Sequence, residues 1–268
     1  MEPYLAAVIQ QTSTADPESN WRQVEERVRK AAGCGARFVS TPENTVLQGA
    51  PNEQARRAET LGGPTCERFA KLSRELSIHL LLGSFGERSD DPGRCYNTSV
   101  LFGPDGERLG SYRKIHLFDI DLPTRVQFRE SEHVRPGEDP VVIATPLGRI
   151  GLSICYDLRF PELYRRLVNQ GAELLMVPSA FTMATGRDHW EVLLRARAIE
   201  SQCYVLAPAQ FGSHGDAGLR ESYGHAMIVD PWGQVLASVA DGQEFALAQI
   251  DLARVAEVRK ALPVDHRL

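Results

Sequence analysis

The chain has 268 residues, 43% of them hydrophobic and 24% charged, with a net charge of −5 at pH 7. That is an ordinary globular composition. It holds no basic block, which argues against nucleic acid and anionic membrane as partners, and its longest apolar runs, such as LLMVPSAF, fall well short of a bilayer span.

The opening MEPYLAAVIQQ carries no secretory n-region or cleavage site, and LAAVIQ (5–10) reads directly as a strand. ESNWRQVEERVRKAA (18–32) has helical spacing, with Trp21, Val24, Val28 and Ala32 on one face and Gly33 and Gly35 to end it. ARFVSTPEN (36–44) is a strand running into a Pro-Glu turn, PTCERFAKLSREL (64–76) a second amphipathic helix and HLLLGSF (79–85) a buried strand. Two strand-helix units in succession point to an α/β layer protein. YNTSVLFGPDGERLGSYRK (96–114) is then a hairpin turning at Pro-Asp-Gly. HLFDIDLPTRVQFRESEHVRPGEDP (116–140) has no clear period and reads as a long functional loop.

Alternation resumes with the strand RIGLSIC (149–155), the helix PELYRRLVNQG (161–171), the strand AELLMVPSAF (172–181), the helix DHWEVLLRARAIESQ (188–202) and the strand CYVLAPAQF (203–211). A Gly-rich loop (212–218) leads to a second hairpin, HAMIVDPWGQVLASVA (225–240). A last strand (244–252), a short helix and the tail LPVDHRL (262–268) complete the chain. The hairpins share x-x-P-x-G-x-x-L-x-S at 102–111 and 229–238. This is either turn chemistry alone or the trace of two related sheets packed face to face with helices outside. No linker marks a boundary, so residues 1–268 are expected to form one domain. The five cysteines, Cys34, Cys66, Cys95, Cys155 and Cys203, are odd in number and form no CxxC pair. A disulfide framework or structural zinc is therefore not expected, and a reducing, cytoplasmic location is.

Three residues follow strand ends, where layered α/β proteins assemble their sites: Glu43, Lys114 and Cys155. Each has a plain reading, as a solvated cap, a surface lysine and a small buried hydrophobe. Each also has a chemical one. A thiol is a nucleophile once a base or a positive neighbour activates it. A carboxylate can take its proton, and a lysine can stabilise an oxyanion. Histidine is the usual thiol base, which keeps a papain-like arrangement with His116 or His225 open.

Taken together and in order, PEN at 42–44, YRKIHLFD at 112–119 and CYDLRFPELYR at 155–165 resemble the nitrilase superfamily of carbon–nitrogen hydrolases over nearly the whole chain. The resemblance implies a four-layer αββα sandwich and a Glu43-Lys114-Cys155 triad. It also implies a further glutamate, Glu130, whose spacing to Gly137 fits better than that of Glu132. The backbone N–H of Tyr156 and Lys114 would face the oxyanion, and no metal or organic cofactor is required. The expected assembly is a homodimer or higher homo-oligomer.

Within the superfamily, PSAFTMATGRDHWEVLLRARAIESQCYV (178–205) and SYGHAMIVDPWG (222–233) resemble the branch of deaminated glutathione amidases. This implies a small amide substrate with a carboxylate, and omega-amidases and N-carbamoyl or aliphatic amidases are the alternatives. The carboxylate calls for a cation: Arg159, which could instead buttress the turn after Cys155, is a candidate, and so is Arg187 or His189. Arg195 and Arg197 are expected in ion pairs, and Arg165 and Arg166 over a subunit interface. Phe181 and Thr182 are expected to line the site through their backbone, with Phe181 equally open to a core role, and Tyr223 and His225 at its mouth. A catalytically inactive binding relative is the remaining class, and the intact triad argues against it.

Overall fold

The first four strands of the chain have two apolar faces, and each face has its own partner. The structure, a computed structural model, describes residues 2–50, 52–121, 127–215 and 221–264. In β1 (Tyr4–Gln11), Ala7 and Ile9 pack with Val24, Val28 and Ala31 of α1 (Pro17–Gly33), while Ala6 and Val8 belong to the core between the two sheets. The alternation repeats further along the chain. After β2 (Ala36–Ser40), a short α2 (Glu53–Arg56) and α3 (Pro64–Leu76), it returns in β3 (His79–Arg88), where Leu80 and Leu82 face helices and Leu81 faces the other sheet. It returns again in β4 (Cys95–Phe102), which forms a hairpin with β5 (Arg108–Arg113). Period-2 burial on both faces is what an inner sheet of a layered sandwich requires.

The expected 116–140 loop contains a small hairpin, β6 (Asp119–Asp121) with β7 (Gln127–Arg129), and then β8 (Val134–Arg135) beside β4. Residues 122–126 of that loop lie outside the described residues, as do 216–218 of the Gly-rich loop and 265–268 of the tail. The second sheet begins with β9 (Val141–Thr145), a strand missing from the sequence reading, and β10 (Gly148–Leu152). α4 (Pro161–Asn169), β11 (Leu174–Met176), α5 (Met183–Ser201) and β12 (Tyr204–Ala207) follow. The chain then crosses to the first sheet for β13 (Ala209–Ser213) and β14 (Glu221–Tyr223). It returns to the second for β15 (Met227–Val229) and β16 (Val235–Ser238). β17 (Phe245–Ile250) lies antiparallel to β1, and α6 (Leu252–Ala261) follows it.

The first sheet runs β14-β13-β1-β2-β3-β4-β5 and the second β16-β15-β12-β11-β10-β9. With α1 and α3 on one outside and α4 and α5 on the other, this is the expected αββα sandwich. The apparent strand 203–211 is in fact two strands in two sheets, broken at Pro208, which has no N–H to give a ladder. The two hairpin turns are one turn built twice, once in each sheet. Gly106 and Gly233 both have φ near +80° (78° and 87°), and their N–H groups donate to Gly103 and Asp230 at 2.9 Å. Among the described residues no helix is long and apolar enough to cross a membrane.

Candidate active site

Glu43 lies in the turn after β2, and β3 holds that turn in place. Gly83 N–H donates to Thr41 Oγ1 at 3.0 Å, and Ser84 takes the N–H groups of Asn44 and Thr45 at 2.9 and 3.1 Å. A side chain at Gly83 would collide with the Thr41 and Pro42 carbonyl oxygens, so the contact requires glycine. From β13, Gln210 Nε2 donates to the Glu43 carbonyl at 2.8 Å. Lys114 follows β5. Its N–H donates to the Asn97 carbonyl at 2.9 Å, and its own carbonyl accepts from Gly137 at 2.8 Å.

Cys155 follows β10 at the start of a 3-10 turn, Cys155–Arg159, with φ at +48° and its N–H on the Pro178 carbonyl at 3.0 Å. That left-handed conformation is unusual for a residue with a side chain and is found where the surroundings enforce it, often at functional sites. Here the enforcing group is the fully buried Asp157. Its carboxylate accepts from Ile154 N–H (2.9 Å), His116 N–H (2.9 Å), Tyr112 Oη (2.8 Å) and His116 Nδ1 (2.7 Å). One carboxylate thus clips the segment carrying Lys114 to the turn carrying Cys155.

The three side chains meet. Glu43, Lys114 and Cys155 are 3%, 2% and 8% exposed. Lys114 Nζ is 2.9 Å from Glu43 Oε1 and sits astride the Glu130 carboxylate at 3.1 and 2.9 Å. The Cys155 thiol lies beside Glu43 and feels its charge, and Ala180 N–H donates to Glu43 Oε2 at 2.9 Å. Burial and then the Glu43 charge push the Cys155 thiol well above its ordinary range, and Lys114 offsets only part of this. Burial pulls Lys114 down, but the Glu130 and Glu43 carboxylates outweigh it and hold the ammonium well above its ordinary range. The site therefore pairs a protonated thiol with a carboxylate acceptor and a permanent cation, an arrangement suited to general-base-assisted thiol attack.

A family model described as Carbon-nitrogen hydrolase matches residues 5–260. The chain belongs to the carbon–nitrogen hydrolase family. It is similar to the deaminated glutathione amidase of Synechocystis sp. (strain PCC 6803 / GT-S), at 42% identity covering 100% of this chain and 99% of the relative. It is also similar to that of Homo sapiens, at 46% identity covering 98% and 82%. Among solved structures it resembles the C. elegans NitFhit protein, with a TM-score of 0.91 and 41% identity over 97% of this chain and 64% of that longer one. Saccharomyces cerevisiae Nit3, a member of branch 10 of the nitrilase superfamily, gives a TM-score of 0.88 and 28% identity over 98% and 95%. The resemblance to the nitrilase superfamily read from the three motifs is borne out.

In this carbon–nitrogen hydrolase the two histidines are occupied elsewhere. His116 is held by Asp157 and stacks on Phe160 at 3.7 Å, and His225 Nδ1 is 2.9 Å from the Tyr223 carbonyl, its ring stacked on Tyr223 at 4.2 Å. The papain-like arrangement is therefore not the one built. Glu130 is buried against Lys114 while Glu132 is exposed, which decides between the two registers. Tyr156 is the second residue of the 3-10 turn, its ring against Phe118 and Phe160.

The half-buried Arg159 guanidinium lies 5.1 Å from the Phe181 ring centre and 5.8 Å from that of Tyr156, with Nη1 3.2 Å from His189 Nδ1. Arg187 is exposed, as are Arg165 and Arg166. Arg195 donates to the Gly233 carbonyl, and Arg197 braces the Cys155 turn through the Leu158 carbonyl at 3.0 Å. Phe181 packs its ring on Trp190, and its carbonyl accepts from Tyr223; Thr182 stands just before α5 with its hydroxyl paired to that of Thr185. The backbone amide of this stretch that reaches the cluster is that of Ala180, one residue earlier. Sequence reasoning also missed Asn97, Asp157 and Gln210. Only Asp157, two residues beyond the cysteine within the motif, carried any local signal.

Proposed function

We propose that this chain is a thiol-dependent amidase that cleaves deaminated glutathione to 2-oxoglutarate and cysteinylglycine. One observation carries the reaction class: a buried Cys155 thiol under the charge of Glu43, whose carboxylate is 2.9 Å from Lys114 Nζ. The acyl group follows the full-length relatives named deaminated glutathione amidase.

Cys155 Sγ attacks the amide carbon as Glu43 takes the thiol proton. The oxyanion accepts from Tyr156 N–H and from Lys114, which gives up one of its two contacts to Glu130 to do so. Protonated Glu43 then delivers the proton to the departing nitrogen, the C–N bond breaks and a thioester remains. Water, deprotonated by Glu43, adds to the thioester; the C–S bond breaks and the thiol regains its proton. Glu130 keeps Lys114 charged and in place.

Arg159 binds the terminal carboxylate of the acyl group. It is supported on two aromatic faces beside the nucleophile turn, and among the described residues it has no carboxylate partner. Phe181 and Thr182 form the adjoining wall.

The chain works as one domain, supported by a single apolar cluster that draws on both sheets. It acts as a homo-oligomer in a reducing cytoplasm, the latter supported by five cysteines that are all free thiols. The test is kcat/KM on deaminated glutathione against 2-oxoglutaramate, following 2-oxoglutarate. Preference for the peptide is expected. Preference for the small amide makes the protein an omega-amidase, and activity on neither rejects the acyl assignment.

A further inference from the structure

We infer that Asn97 is a positioning residue for Glu43: its amide is the uncharged donor that ties the two carboxylates of the site together and fixes which Glu43 oxygen receives the thiol proton. The inference rests on the reading of Glu43 as the base for Cys155.

Asn97 lies on β4, beside the end of β5 that supplies Lys114, and is 1% exposed. Its Nδ2 donates to Glu43 Oε1 at 2.9 Å and to Glu130 Oε1 at 3.3 Å, the same two oxygens that Lys114 Nζ approaches at 2.9 and 3.1 Å. A carboxylate has about four lone-pair sites. On Glu43, Asn97 and Lys114 fill both sites of Oε1, and Ala180 N–H fills one of Oε2. The remaining site is on Oε2, which leaves that oxygen for the thiol.

The choice of an amide follows from the charges. Glu43 and Glu130 face one lysine, so two carboxylates share a single cation. A second cation in place of Asn97 would compete with Lys114 for the same two oxygens, and an apolar side chain would leave Oε1 short of a donor and Glu43 free to turn. The groups around the pair come from four elements: Lys114 after β5, Glu130 from the short turn after β7, Cys155 from the nucleophile turn, and Cys95 on β4, whose thiol feels the Glu130 charge. Because carboxylates only accept, the Asn97 amide must turn its NH2 toward them. Its Oδ1 is then a buried acceptor with no partner among the described residues. A buried orphan acceptor works against stability, so the residue is better explained by what its donor does.

The experiment compares wild type, Asn97→Asp, Asn97→Ala and Asn97→Ser. It follows iodoacetamide alkylation of Cys155 against pH, together with kcat and KM on the amide that wild type turns over. Asn97→Asp keeps the shape but replaces the donor with a third carboxyl. The acid limb of both profiles should move up by about one pH unit or more, about tenfold slower on the acid side. Asn97→Ala should lower kcat about tenfold with KM within about twofold, since general acid–base catalysis depends on the placement of the base; Asn97→Ser, which keeps a small donor, should recover part of the loss. Profiles that superimpose on wild type, or a change in KM alone, overturn the inference. Alkylation needs no amide substrate. Shifted alkylation profiles with no turnover would therefore reject the proposed activity but not the role of Asn97, and wild-type turnover with unshifted profiles would do the reverse.

Discussion

The Cys155 thiol is held protonated by burial and by the charge of Glu43, so attack has to be coupled to proton transfer. Cys155→Ser should fold normally and lose turnover by about four orders of magnitude, because a hydroxyl with a carboxylate base is a far poorer nucleophile. Circular dichroism with a steady-state assay checks this, and retained activity would reject Cys155. Glu43→Gln should slow the reaction by about 10²- to 10⁴-fold, the usual weight of a general base, and alkylation of Cys155 near neutral pH should slow with it. Near-normal rates in that variant would remove Glu43 as the base. A separate single-residue effect belongs to stability. His79, at the start of β3, is buried with Nε2 unpartnered among the described residues, and burial lowers its pKa from the ordinary 6.5. The folded protein keeps the ring neutral where the unfolded chain takes up a proton. Stability should therefore fall as pH drops below about 6.5 toward the folded value. His79→Gln should flatten that slope in urea-unfolding midpoints measured between about pH 7 and pH 5, and an unchanged slope would assign it to other groups.

At the scale of elements, the site depends on how closely backbone segments approach one another. Gly83→Ala would drive a methyl group into the turn that carries Glu43. We expect a loss of about 1–3 kcal/mol, typical of overpacking, together with lower kcat if Glu43, which the displaced turn carries, is the proposed base; full activity and stability would show that the turn tolerates the shift. The same scale explains what the sequence disclosed. Glu43, Lys114 and Cys155 stand in contiguous motifs after apolar strands, so they could be found locally. Asn97 could not, because its role exists only once β4 lies between Glu43 and Glu130. α5 starts at Met183 rather than Asp188 because Met-Ala-Thr-Gly carries little apolar period; Gly186 is there for the close approach of Tyr223, a tertiary contact. The break at Pro208 separates two apolar runs with the same composition, and composition cannot assign them to different sheets.

For the whole molecule, the face outside the second sheet carries apolar surface that the described residues leave exposed. Val192 and Ile199 of α5 are 66% and 48% exposed, and Trp232, in the neighbouring hairpin turn, is 50% exposed. They are adjacent, since Ile199 packs against Gly233 and Arg195 donates to the Gly233 carbonyl at 2.9 Å. Two residues seven apart lie on one side of a helix. Laid antiparallel on a second copy of itself, α5 sets each Val192 opposite an Ile199, the self-complementary contact of a two-fold interface. Arg195, between them, is already engaged by Gly233 and by Glu191 at 3.4 Å, which lessens the repulsion of bringing two arginines together. The same helix braces the nucleophile turn through Arg197 and Leu158, so pairing through it would stiffen the site as well as cover the patch. Light scattering behind size exclusion should give a multiple of the chain mass for wild type. Val192→Glu combined with Trp232→Glu should give a single chain, because burying an unpaired carboxylate in an apolar contact is strongly unfavourable. A monomeric wild type, or a variant that keeps the wild-type mass, would reject this face as the interface.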